Sequence, residues 1–208
     1  MAGRNVVIID YDMGNIWSVL SALRYLGENP IVTYDPDQLR FADFLVLPGV
    51  GSFRKAMESL KSSGLDAAIR EAVLKRGVKI IGICLGMQLL GSFGTEDGET
   101  EGLSLIPNRV EKFTVKELGN NKVPHIGFNS VQFSEKTGLF LNLPNNADFY
   151  FVHSYRMLPD GNDGKYGKCF YGIEFIAALE IQNICGTQFH PEKSQTNGLT
   201  LLSNFLEL

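Results

Sequence analysis

Val78-Lys79-Ile80-Ile81-Gly82-Ile83-Cys84-Leu85-Gly86-Met87-Gln88 decides the fold. A β-branched apolar run reads as a strand buried on both faces. The Gly-x-Cys-x-Gly at its end predicts an abrupt turn into a helix, with glycines two residues either side leaving room for a strained turn that exposes the central side chain. This is the pattern of a nucleophile elbow with Cys in place of Ser. It puts the Cys84 thiol at a helix N-terminus, where unpaired N–H groups favour a thiolate.

Upstream of Val78, strand and helix alternate. Asn5 to Asp10 reads as a buried strand, the first strand of the chain and not part of a signal peptide. Asn15 to Leu26 reads as a helix, with Ile16, Val19, Leu20, Leu23 and Leu26 on one face and Gly27 as its stop. Short strands follow at Ile31 to Tyr34 and Phe44 to Leu47, the second running into Pro48-Gly49-Val50-Gly51. Helices are predicted from about Ser52 and over Leu65 to Arg76, the latter ended by Gly77. This βαβα order predicts an α/β fold, a mostly parallel sheet with helices on both faces. Ligands of such sheets bind beyond the carboxyl ends of the strands. Three loops fall there: Asp10 to Asn15, Pro48 to Ser52, and Cys84 to Gly86.

Downstream the chain is richer in strands. Arg109 to Val115, Ser130 to Phe133, Asp148 to Val152, Lys168 to Glu174, Ala177 to Ile181 and Ile184 to Phe189 all qualify. Asp160-Gly161-Asn162-Asp163-Gly164 is a turn signal, and Leu199 to Leu206 reads as a last helix. Without repeats, linkers or low-complexity tracts, residues 1–208 read as one domain with an added antiparallel portion.

Charge is mixed, 19 basic against 23 acidic residues, which argues against nucleic acid and anionic membranes as partners. No apolar stretch approaches the ~20 residues that span a bilayer. Three cysteines, Cys84, Cys169 and Cys185, form no paired framework and fit a reducing, cytoplasmic setting. Neither Cys-x-x-Cys nor His-x-x-x-His occurs, so no metal site is expected.

A nucleophilic cysteine needs a base. His190-Pro191-Glu192 follows the strand Ile184 to Phe189, and in extended backbone residues two apart point to the same side. Pro191 disfavours helix at His190. Glu192 can therefore hold one imidazole nitrogen while the other faces the thiol. His153, in an aromatic strand, reads better as a satisfied core histidine, and His125 has no nearby carboxylate. Pro48-Gly49-Val50-Gly51-Ser52 lacks the Gly-Lys-Ser/Thr of a P-loop. It suits an oxyanion hole instead, with N–H of Val50 or Gly51 and of Leu85 converging at the thiol. Alone, the loop would be a simple tight turn.

Together, Pro48-Gly49-Val50-Gly51, Gly82-Ile83-Cys84-Leu85-Gly86-Met87-Gln88 and Gln188-Phe189-His190-Pro191-Glu192-Lys193-Ser194 resemble the triad-type (class I) glutamine amidotransferases, of flavodoxin-like fold, over the full chain. Pro124-His125-Ile126-Gly127-Phe128-Asn129 and Tyr150-Phe151-Val152-His153-Ser154-Tyr155 resemble the glutaminase subunits of imidazole glycerol phosphate synthase. The resemblance implies Cys84, His190 and Glu192 as catalytic residues acting on L-glutamine, with no cofactor. It implies that Gly49, Gln88, Glu96, Ser154 and Tyr155 hold the substrate. Asn15, Phe128, Tyr150 and Lys193 fall where the family meets its synthase, a β/α barrel forming a heterodimer. Phe128 stands where the motif leads one to expect tryptophan. Two alternatives stay open: a subunit supplying ammonia for amidino groups on bacterial surface sugars, and a stand-alone γ-glutamyl hydrolase. The intact Cys84, His190 and Glu192 weigh against a non-catalytic binding relative.

Overall fold

The computed structural model describes residues 4–161 and 163–208; Asn162 of the turn signal and residues 1–3 lie outside them. The first half contains β1 (Val6–Ile9), α1 (Ile16–Tyr25), β2 (Ile31–Thr33), β3 (Phe44–Gly49), α2 (Phe53–Ser63), α3 (Leu65–Arg70), β4 (Lys79–Cys84) and α4 (Leu85–Leu89). A π-helical turn, Glu71–Lys75, carries α3 to its end. Then come β5 (Phe93–Gly94), β6 (Thr100–Glu101), β7 (Arg109–Lys112), α5 (Val115–Leu118), β8 (His125–Phe133), β9 (Asn146–His153), β10 (Tyr155–Met157), β11 (Lys165–Tyr171), β12 (Ile173–Ile181), β13 (Ile184–Thr187) and α6 (Gln195–Leu206).

The main sheet has nine strands in the order β2-β1-β3-β4-β13-β12-β11-β8-β9. The first five are parallel and the rest antiparallel, so the α/β fold with a parallel core and an antiparallel portion is the one the sequence predicts. Strands β1, β3 and β4 are buried almost throughout because alternate residues face two separate cores. Val6 and Ile8 pack with α1 and α6 residues such as Leu23 and Phe205. Val7 and Ile9 pack with Phe53, Leu60 and Ile69 of α2 and α3 on the other face. Each large side chain so buried contributes roughly 1.5–3 kcal/mol.

The second half corrects several boundaries. The predicted strand Lys168 to Glu174 is the crossing of a hairpin. The chain reverses at Gly172, φ +78°, so that Tyr171 faces Ile173 and β12 runs on through Ala177. The aromatic and β-branched residues around one glycine disguise a turn that only glycine adopts readily. The strand from Arg109 ends at Lys112, because Thr114 and Glu117 form a reciprocal capping box that starts α5. Strand β3 includes Pro48 and Gly49, β8 begins at His125, and α6 begins at Gln195. Of the small sheet β10-β7-β5-β6 the sequence predicts only β7, since strands of two or three residues carry no period.

Candidate active site

Parallel register brings three strand ends together. Gly49 of β3 pairs with Cys84 of β4, and Thr187 of β13 pairs with Ile83. The chain leaving β13 delivers Gln188, Phe189 and His190 beside the elbow. Cys84 itself has φ 55° and ψ −109°, a conformation that costs a non-glycine residue about 1–3 kcal/mol. The flanking glycines permit it. A Cβ on Gly86 would sit 1.8 Å from the Leu47 carbonyl oxygen, and one on Gly82 would sit 2.6 Å from Gly86 backbone. Gly49 is equally constrained, since a Cβ there would lie 2.4 Å from the Tyr11 hydroxyl.

His190 Nδ1 and Glu192 Oε1 are 2.8 Å apart, and both side chains are buried. Burial pushes the His190 imidazole down, but its interactions with Cys84 and Glu192 more than reverse this and raise it to about 9. Nε2 is buried and makes no hydrogen bond among the described residues. The Cys84 thiol instead donates to the Val152 carbonyl at 3.8 Å. Asn15, expected at a partner interface, also donates to Glu192 Oε1 at 3.4 Å. Two donors thus converge on one carboxylate oxygen.

A cavity of about 300 Å³ opens over Cys84, lined by Val50, Gly51, Leu85, Gln88, Glu96, Ser154 and Tyr155, and by Pro124, Val152 and His153. Of the residues expected to hold substrate, all but Gly49 line it. Glu96 carries a second duty. It accepts the Phe53 N–H at 2.8 Å and so caps α2. Burial pushes its carboxyl pKa up, against that hydrogen bond. Gln188, which no local sequence signal marks as a site residue, donates to the Cys84 sulfur at 3.7 Å.

The oxyanion loop differs from expectation in one respect. Val50 N–H donates to the Met13 carbonyl at 2.8 Å and is turned away from the thiol's needs. Gly51, at φ +101°, and Leu85, first residue of α4, keep N–H groups with no such bond among the described residues. Phe128 and Lys193, both exposed, cluster on half-buried Tyr150: the Phe128 and Tyr150 rings meet edge to face at 5.6 Å, and Lys193 Nζ lies 5.9 Å over Tyr150. His190 N–H donates to the Tyr150 carbonyl at 2.9 Å, so this cluster adjoins the candidate base.

His153 and His125 are both buried. Burial pushes them down, to about 3 and about 4, and neither meets a carboxylate.

Residues 7–208 match the family model described as glutamine amidotransferase class-I. Imidazole glycerol phosphate synthase subunit HisH of Moorella thermoacetica is 47% identical over 205 residues, 99% of this chain and 95% of that protein. Subunit HisH 1 of Parasynechococcus marenigrum is 44% identical, over 97% of this chain and 96% of its own length. The structure of PurLQS from Thermotoga maritima shares the fold, with a TM-score of 0.74 at 18% identity, covering 99% of this chain and 98% of that one.

Proposed function

We propose a specific role from one premise: this chain belongs to the class-I glutamine amidotransferase family. It is the glutaminase subunit of an imidazole glycerol phosphate synthase of histidine biosynthesis, the assembly its relatives are named for. Residues 1–208 act as one amidotransferase domain. The observation that carries the reading is the meeting of the strained Cys84 elbow with the buried His190–Glu192 pair at neighbouring strand ends.

In this reaction His190 takes the Cys84 proton, and the thiolate attacks the side-chain carbonyl carbon of glutamine. The carbonyl electron pair moves onto oxygen, held by N–H of Gly51 and Leu85. The tetrahedral centre collapses as His190 returns the proton to the departing nitrogen. Ammonia leaves and a γ-glutamyl thioester remains. Water, deprotonated by His190, then adds to the thioester; thiolate departs and glutamate is released. Glu192 fixes the Nδ1–H tautomer and stabilises the imidazolium. Gln88, Glu96, Ser154 and Tyr155 line the space that takes the amino acid.

The ammonia goes to a barrel-type synthase subunit docked over Asn15, Phe128, Tyr150 and Lys193, in a heterodimer. Phe128 is half exposed, as an aromatic anchor for a partner would be. Docking also supplies a switch. Val50 N–H is held by the Met13 carbonyl; once that peptide turns, it joins Gly51 and Leu85 as a further oxyanion donor, and one missing donor costs about 10²–10³ in rate. The test is glutamate release by the purified chain, alone and with a histidine-pathway cyclase and its ligand. Strong activation is expected. Full activity alone, unmoved by any partner, would make the chain a stand-alone hydrolase; activation only by a sugar-amidating enzyme would move it to that pathway.

A further inference from the structure

His125 of β8 and His153 of β9 face each other in register, buried beside the site yet absent from the mechanism above. Their hydrogen bonds fix one another's direction. His153 Nδ1 lies 2.8 Å from the Tyr155 carbonyl, which only accepts, so Nδ1 carries the hydrogen. Both rings are neutral, because burial holds His125 at about 4 and His153 at about 3. His153 Nε2 is then bare and accepts from His125 Nδ1 at 3.0 Å. His125 Nε2 accepts in turn from Asn129 Nδ2 at 3.3 Å, a group that also donates to the Phe170 carbonyl.

The chain does not stop at Tyr155. The same carbonyl accepts from Gln88 Nε2 at 3.1 Å. That nitrogen donates at 3.0 Å to Gln188 Oε1, and Gln188 Nε2 reaches the Cys84 sulfur. Packing alone does not call for these histidines. The His125 ring stacks between Tyr171 at 3.9 Å and Phe151 at 4.7 Å, where a phenyl ring would fit without any buried polar atom to satisfy.

We propose that His125 and His153 are positioning residues for glutamine hydrolysis: a one-way hydrogen-bond chain from Asn129 through both rings holds the Tyr155 carbonyl, and through it the Gln88 and Gln188 amides that place the Cys84 sulfur. Neither ring exchanges a proton with substrate. The assignment rests on the glutaminase reading, and it makes the wall of the substrate cavity and the seat of the nucleophile one connected unit.

The test compares His125→Phe with His125→Asn in the full chain with its activating synthase. Phenylalanine keeps the stacking and removes the donor. Asparagine leaves a void but sets an amide nitrogen near the Nδ1 position. His125→Phe should fold, losing only the stability that follows from leaving the buried His153 Nε2 without its donor, hold KM within a few-fold and lose about 10²-fold in kcat, the penalty of a ~1 Å misplacement. His125→Asn should be less stable yet recover about tenfold of that loss. Activity that follows stability instead, or an unchanged kcat in His125→Phe, overturns the proposal. Should His125→Phe not fold, His153→Asn against His153→Leu asks the same question, since only asparagine keeps a donor for the Tyr155 carbonyl. ¹⁵N spectra of the parent supply an independent reading: both rings should be Nδ1–H tautomers at neutral pH, and an Nε2–H form of either contradicts the chain. A parent that releases no glutamate under any activating condition sinks the glutaminase reading itself.

Discussion

Replacing Glu192 by glutamine removes one negative charge and almost no volume. His190 Nδ1–H and the Asn15 amide both donate to Oε1, so the new amide should keep its oxygen there and the imidazole its orientation. What is lost is the charge. A carboxylate about 4 Å from an imidazolium is worth about 4 kcal/mol at an effective dielectric of 20. At 1.36 kcal/mol per unit, that sets a ceiling of roughly 3 units on Glu192's share in raising His190. The raised value, about 9, also includes the pull of Cys84, so a fall of about 1–2 units is expected. The direction follows from the charge: without the carboxylate the imidazolium releases its proton at lower pH. In steady-state glutamate release, the limb on which activity falls with rising pH should move from about 9 down by that amount. The rate at its optimum should fall by about 10²–10⁴, the upper figure being the loss for the corresponding change in a serine-protease triad. His190→Ala should be nearly inactive. An unmoved alkaline limb in Glu192→Gln, or a dead His153→Ala beside an active His190→Ala, would refute the reasoning.

Other consequences are as concrete. Gly86→Ala must push β3 from α4, because the clash is with the Leu47 backbone; denaturant unfolding should show a loss of about 3 kcal/mol or more, whereas Gly77→Ala, which meets open space at φ +70°, should lose only about 1–2 kcal/mol, the cost of a side chain in left-handed backbone. Phe128→Ala should leave stability within about 0.5 kcal/mol but weaken synthase binding at least about tenfold, as titration of the two purified subunits would show. Acid should destabilise the fold through His125 and His153. Above about pH 6.5 both are neutral folded or unfolded, whereas below it only the unfolded rings take up protons until about pH 4. Stability should therefore drop by up to about 1.4 kcal/mol per pH unit per ring, and urea midpoints of His125→Phe should show a shallower slope.

The parallel half was legible because each of its strands is an apolar run and each helix ends at a glycine. The candidate triad was legible for a local reason: the elbow glycines mark Cys84, and His190 and Glu192 are two residues apart on one extended segment. Long-range partners left weaker marks. Nothing near Asn15 announces a bond to Glu192 across the fold, and nothing near Gln188 announces the Cys84 sulfur. Val50 was read as an oxyanion donor from its loop alone, and only the position of the Met13 carbonyl shows that N–H engaged. The hairpin at Gly172 was hidden because its two strands share one composition. The Thr114–Glu117 capping box was readable as a Thr-x-x-Glu pattern and was missed inside an apparent strand.

The central claim is that Cys84 is the nucleophile toward glutamine, and one measurement tests it most directly. The full chain, with and without its synthase, is treated with a glutamine-analogue electrophile and digested, and each cysteine peptide is weighed. Burial pushes the Cys169 thiol up to about 12 and Cys185 up as well, and both are closed to solvent. The account predicts a single adduct, on Cys84, blocked by excess glutamine and absent in Cys84→Ala, which should keep its fold and release no glutamate. An adduct on Cys169 or Cys185 that tracks the loss of activity, or glutamine hydrolysis persisting in Cys84→Ala, would contradict it.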